Sequence, residues 1–189
     1  MVQPEFDEIF HKDHPLKGRW HKDFFHNDNP IILELGCGKG EYTIALAERN
    51  PNANYIGVDI KGARLWKGAK YAEEHGLKNV GFVRTRIEFI ESLFAPGEVS
   101  EIWITFADPQ IGREKKRLTA PLFMNRYRNF LKPGGIVHLK TDSRYLHEYS
   151  IAMARQNDLK ILAYGTDIYG EDREQLYASE LSSVSGRSA

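Results

Sequence analysis

A short apolar run that passes straight into a glycine turn constrains this chain more than any other feature. Ile31, Ile32, Leu33, Glu34 and Leu35 are followed at once by Gly36-Cys37-Gly38-Lys39-Gly40, and a helical pattern begins at the last glycine. The apolar residues read as a buried strand, the glycines as a tight turn, and the residues after Gly40 as the first turn of a helix. A strand, turn and helix in this order form the place where an open α/β sheet receives a nucleotide-like ligand. Glycine suits the turn because a residue without a Cβ lets backbone approach the ligand closely.

The third glycine comes one residue earlier than in the G-x-G-x-x-G loop of dinucleotide-binding proteins. Glu34, just before the first glycine, would repel a pyrophosphate but suits a ligand that carries an ammonium group. Asn54-Tyr55-Ile56-Gly57-Val58-Asp59 reads as a second strand ending in a carboxylate. An acid at that place takes the ribose hydroxyls of an adenosine. Glu34, the turn with Gly36, Gly38 and Gly40, and Asp59 together fit S-adenosylmethionine better than a nicotinamide. A dinucleotide and a purely structural turn stay open as alternatives.

From residue 31 onward strand and helix patterns alternate, the signature of a parallel sheet with crossover helices. Strands are predicted over residues 31–35, 54–59, 80–84, 101–106 and 136–140, with a sixth over 160–164. Helices are predicted over about 40–49, along Leu65, Trp66, Ala69 and Ala72, briefly from Ile87, along Leu122 to Phe130 with Pro121 in the first turn, and along Leu146, Tyr149 and Met153. Residues 1–29 show no sustained period and read as an arm or irregular cap. Residues 30–168 form the predicted domain. Residues 169–189 are polar and serine-rich and are expected to be disordered.

With 189 residues, 41% hydrophobic and 28% charged, the chain has the bulk of one ordinary globular domain. No apolar run is long enough for a membrane span and no secretory leader pattern opens the chain, so a soluble, cytoplasmic protein is expected. The single cysteine, Cys37, fits a reducing compartment and reads as a small packing residue in the turn. Neither C-x-x-C nor H-x-x-x-H occurs, so no metal site is expected. Lysines and arginines balance the acids, 26 against 26, but not evenly along the chain. Arg113, Lys115, Lys116, Arg117, Arg126, Arg128 and Lys132 face one acid, Glu114, and a second basic stretch rich in histidine runs from His11 to Lys22. Two such stretches in a neutral chain point to a polyanionic partner, although a charge run is ordinarily a solvated face.

Ligands of open α/β sheets gather at the carboxyl ends of strands. Asp59, Asp108 and Asp142 stand at such ends. Asp108 lies in Thr105-Phe106-Ala107-Asp108-Pro109-Gln110, and Asp142 follows Leu139-Lys140-Thr141. Either could instead cap a helix. His138 reads as a packed or surface histidine rather than a catalyst.

The order E-L-G-C-G-K-G, an acid after strand two, F-A-D-P-Q followed by R-E-K-K-R-L, then L-K-P-G-G and L-K-T-D resembles the tRNA (guanine-N7)-methyltransferase family over roughly residues 31–164. The resemblance implies a Rossmann-like class I methyltransferase fold, a mostly parallel twisted sheet with helices on both faces. It also implies an S-adenosylmethionine donor and a tRNA substrate. Donor contacts then fall on Glu34, Gly36, Gly38, Gly40, Asp59, Arg86, Ile87 and Asp108, with Asp108 as the catalytic residue. Contacts to tRNA fall on Arg113, Lys115, Lys116 and Arg117, and the substrate-side aspartate is Asp142. The chain has Ala107 where the family has proline, Gln110-Ile111 where it has tryptophan-proline, and Arg86 in place of an asparagine or aspartate. The family's C-terminal T-x-Y-E element finds only a weak echo in Leu176-Tyr177-Ala178-Ser179-Glu180. Two other readings stay open on sequence grounds: a non-catalytic RNA-binding protein that keeps the fold, and a methyltransferase for an exocyclic amino group.

Overall fold

The computed structural model describes residues 13–167. They fall into two compact units that part after His147. The first holds a five-stranded, all-parallel sheet in the order β3-β2-β1-β4-β5. Its strands are β1 (Ile31–Leu35), β2 (Asn54–Asp59), β3 (Val80–Arg84), β4 (Val99–Thr105) and β5 (Leu131–Lys140). Every residue of β1 is buried, because β1 lies mid-sheet with both faces covered.

The pleat divides the apolar residues between two cores. Leu33, Leu35, Ile56, Val58, Ile102 and Ile104 point into one, together with Phe94, Phe123, Tyr127 and Phe130. Ile32, Tyr55, Val80 and Phe82 point into the other. That second face is covered by α1 (Glu41–Arg49) through Ile44 and Ala47, and by α2 (Gly62–Glu74) through Leu65 and Ala72. On the first face lie a short 3-10 helix, Ile87–Ser92, and α3 (Pro121–Arg128). Helices therefore lie on both faces, as expected.

Some details differ from the sequence reading. Trp66 does not join the buried stripe of α2: it is 55% exposed, with the Lys70 ammonium 5.3 Å from its ring centroid. Gly68 takes the inward place, because a side chain there would collide with the Lys39 carbonyl of the glycine turn. The predicted turn at residues 132–135 lies inside β5 as an irregularity, where pairing jumps from Val99↔Leu131 to Glu101↔Ile136.

Of the two readings for the segment before β1, arm or irregular cap, residues 13–29 take the second: Trp20–Phe25 forms a π-helical turn, with Trp20 and Phe25 buried in the first core. Trp20 Nε1 donates to the Leu93 carbonyl at 2.8 Å, and its ring stacks on Phe94 with centroids 5.5 Å apart. The Glu98 carboxylate accepts the backbone N–H groups of Gly18, Trp20 and Ala95. One aromatic anchor has no period, so the hydrophobic pattern could not reveal it.

The second unit begins within α4 (Arg144–Gln156), which is predicted correctly as a helix. The sixth strand predicted over 160–164 does not form: residues 159–165 carry no regular structure, and Leu162 and Tyr164 are exposed. A short apolar run supplies only half of a strand; the other half is a ladder partner. The expected polar tail, 169–189, and the echo at Leu176–Glu180 lie outside the described residues.

Candidate functional site

Strand order reverses between β1 and β4, and the site is built at the carboxyl ends around that point. Gly36, Gly38 and Gly40 all have positive φ, at 77°, 59° and 77°. A side chain at Gly36 or Gly38 would enter open space, so the upper surface of the turn is bare backbone. At Gly40 it would land on the Phe82 ring, so this glycine serves the packing of the turn against β3. The N–H groups of Gly36 and Cys37 both donate to the Val58 carbonyl, at 2.8 and 3.1 Å, which ties the turn to β2.

Asp59 ends β2. Its Oδ2 accepts the Gly38 N–H at 3.0 Å and its Oδ1 accepts the Lys61 N–H at 2.8 Å. A carboxylate has about four lone-pair positions, so two such bonds orient it while leaving capacity for a ligand's hydroxyls. Asp59 lines a cleft of about 260 Å³ with Gly36, Ile60, Thr85, Arg86 and Ile87. Gln110, Lys116, Leu118 and Phe123 also line it. Arg86 is exposed and Ile87 half-buried, at the start of the 3-10 helix.

Glu34 lies beneath the turn rather than along the cleft. It is 3% exposed, and its two oxygens accept the hydroxyls of Thr43 and Thr105. Burial pushes its carboxyl above the ordinary range, the threonine bonds oppose that shift, and the nearby Asp59 charge adds to it. Glu34 thus ties the start of α1 to the end of β4. The two threonines were missed from sequence, yet a buried acid needs donors, and their hydroxyls stand beside the glycine turn and before the Asp108 loop. Burial likewise raises the Cys37 thiol well above its ordinary value, with the Glu34 and Asp59 charges adding to the effect. A thiol so held is a packing group, not a nucleophile.

Beyond β4, Asp108 is exposed and its Oδ1 accepts the Gln110 N–H at 2.9 Å. That bond closes the loop on itself and caps no α-helix. The basic run splits in two. Arg113, Lys115 and Lys116 are exposed, whereas Arg117 is 4% exposed. Arg117 Nε donates to the Pro109 carbonyl at 3.1 Å, and its Nη2 donates to Tyr145 Oη at 2.6 Å. Its guanidinium also lies 4.8 Å from the Tyr145 ring centroid. Arg117 was expected among the phosphate contacts. In the structure its buried guanidinium instead holds Pro109 and Tyr145, which fixes the Asp108 loop.

Asp142 is exposed, and the cap of α4 is Ser143, whose Oγ accepts the Leu146 N–H at 3.2 Å. His138 is packed, as read from sequence: its ring stacks on Trp103 at 4.1 Å and meets Glu101 at 3.1 Å. Among the described residues no group of three or more His, Cys, Asp or Glu could hold a metal ion. No described helix is long and apolar enough to cross a membrane.

A family model described as "Putative methyltransferase" matches residues 28–178. The chain is 56% identical over 171 residues to a tRNA (guanine-N(7)-)-methyltransferase of Christiangramia forsetii, covering 89% of this chain and 76% of that protein. It is 55% identical over 157 residues to the protein of the same name from Bacteroides thetaiotaomicron, covering 83% of this chain and 62% of that one. The chain therefore spans less than two thirds of the latter's length. Among solved structures, precorrin-6y C5,15-methyltransferase from Geobacter metallireducens shares the fold with a TM-score of 0.53 at 14% identity, covering 69% of this chain and 64% of its own.

Proposed function

This chain belongs to the tRNA (guanine-N(7)-)-methyltransferase family, and on that premise we propose that it transfers a methyl group from S-adenosylmethionine to N7 of a guanine in tRNA. The observation that carries the reading is the Asp59 carboxylate, held by the Gly38 and Lys61 N–H groups on a cleft of about 260 Å³. The residues fit such a donor. Asp59 takes the ribose hydroxyls, while Arg86 and Ile87 flank the adenine. The bare backbone of Gly36, Gly38 and Gly40 carries the methionine end, and Glu34 sets negative charge beneath its ammonium through a rigid brace.

When bound, the donor supplies an electrophilic methyl group on a cationic sulfur. Guanine N7 carries a free lone pair and no proton, so methylation there would call for no proton acceptor. The protein needs no strong base, and its main contribution is in-line placement. Asp108 places a carboxylate beside the base as that base becomes cationic. Arg113, Lys115 and Lys116 hold phosphates, Arg117 keeps the Asp108 loop in position, and Asp142 serves the substrate side. A lone buried cysteine suits the reducing cytoplasm in which tRNA is modified.

Incubation with labelled donor and unmodified tRNA, followed by nucleoside analysis, tests the reading. The expected product is 7-methylguanosine. Label on an exocyclic amino group, or donor binding without transfer, would overturn it. Asp108→Asn should lower the single-turnover rate on the order of a hundredfold, with little change in tRNA affinity. Asp59→Ala should weaken donor binding by roughly 1.5–3 kcal/mol, the range for hydrogen bonds to a charged group.

A further inference from the structure

Phe106 stands at the carboxyl end of β4, two residues before Asp108. It is 57% exposed, and its backbone has φ 49°. A bulky residue in the left-handed region is a steric outlier, and such residues persist where the surroundings over-determine them. Here the Phe106 N–H donates to the Lys140 carbonyl at 2.8 Å, and Thr105 just before it is buried and bonded to Glu34. The backbone is thus clamped while the ring is left in solvent.

The place of the ring is also defined. The Lys140 ammonium lies 5.7 Å from the Phe106 ring centroid and 5.4 Å from that of Tyr42, the second residue of α1. Phe106 therefore lies near the helix that leaves the glycine turn, with a cation beside it and Asp108 just beyond. Core packing gives no reason for an aromatic side chain here. Pro109 and Gln110, which come after Asp108, offer no aromatic face. An exposed aromatic face next to a lysine is what an unstacked nucleobase and its phosphate require.

We propose that the Phe106 ring is the platform on which the methyl-accepting purine stacks, which keeps that base beside Asp108. This rests on methyl transfer to guanine N7 as the function and adds the residue that positions the base. Stacking fixes the plane of the purine, and in-line transfer to N7 depends on that plane.

Three variants test it: Phe106→Leu, which keeps an apolar side chain without a π face, and Phe106→Tyr and Phe106→Trp, which keep the face. Single-turnover assays with saturating donor should show Leu slower by about tenfold to a hundredfold, the range for loss of one base–aromatic stack. Tyr and Trp should stay close to wild type, and donor affinity by calorimetry should be unchanged in all three. A Leu variant with wild-type rate and tRNA dependence overturns the inference, as does a Leu variant that loses donor affinity by the same factor as rate. Fluorescence separates the stacking role from the methyl-transfer function. Unmodified tRNA should quench the tryptophan of Phe106→Trp beyond the wild-type background from Trp20, Trp66 and Trp103. Absence of extra quenching overturns the stacking role even if the wild-type chain methylates guanine, and its presence supports the role even if the transferred group goes elsewhere.

Discussion

Glu34 is a carboxylate held out of water, with two threonine hydroxyls standing in for solvent. Its folded pKa lies above the ordinary 4.5 because burial outweighs those bonds. Below the ordinary value both folded and unfolded chains carry the proton, and the stability associated with this group is fully present. As pH rises, the unfolded chain ionises first, so stability falls until the folded pKa has been passed. Glu34→Gln cannot titrate, so its melting temperature relative to wild type should climb as pH rises from the ordinary carboxylate value through the raised folded one. A difference that stays constant with pH would mean that the carboxyl is not perturbed. Cys37 makes a second test at this scale. Its thiol is buried and its pKa raised, so little thiolate forms near neutrality. Alkylation should be slow in the native protein and fast in denaturant. Rapid labelling of the native chain would mean that the turn opens.

At the scale of elements, the loop after β4 is two devices within one basic run. Arg113, Lys115 and Lys116 face solvent, whereas Arg117 is buried against Pro109 and Tyr145. Each lost phosphate contact should lower the slope of log affinity against log salt, by roughly 0.7 to 0.9 per contact. Arg113→Ala, Lys115→Ala and Lys116→Ala combined should therefore flatten the salt dependence of tRNA binding. Arg117→Lys should leave that slope in place and reduce turnover, since lysine cannot make the same forked contacts. Binding titrations across salt, paired with single-turnover rates, distinguish the two. An Arg117→Lys variant that flattens the slope would return this residue to the phosphate contacts. Sequence spacing alone groups all four residues, because solvent exposure is decided by Pro109 and Tyr145 rather than by the run itself.

Across the whole molecule, the parts legible in sequence were those whose signal is local. β1, β2 and β3 were read at their observed bounds, since each is a compact apolar run closed by a turn or an acid. The glycine turn and the places of Asp59 and Asp108 at or just beyond strand ends were legible for the same reason. The Glu34 brace, the clamp by Arg117 and the strained Phe106 were not legible, because each depends on partners distant in sequence. The same holds for Trp20, which lies in the segment read as an arm or irregular cap and whose burial in the core no sequence period announces. Its indole is fully buried, lies on Phe94 and bonds the Leu93 carbonyl. Trp20→Ala should cost on the order of 3–5 kcal/mol, the range for truncating a buried large aromatic. Trp20→Phe keeps most of the apolar volume but leaves the Leu93 carbonyl without its indole donor, a loss of about 1–3 kcal/mol. Urea unfolding would measure both, with an unchanged m-value showing that the same surface is still exposed. Because the indole packs on the face opposite α1 and α2, the folded fraction of either variant should bind the donor with wild-type affinity. If Trp20→Ala cost less than about 1 kcal/mol, residues 13–29 would be a detachable cap, and the core would close without them.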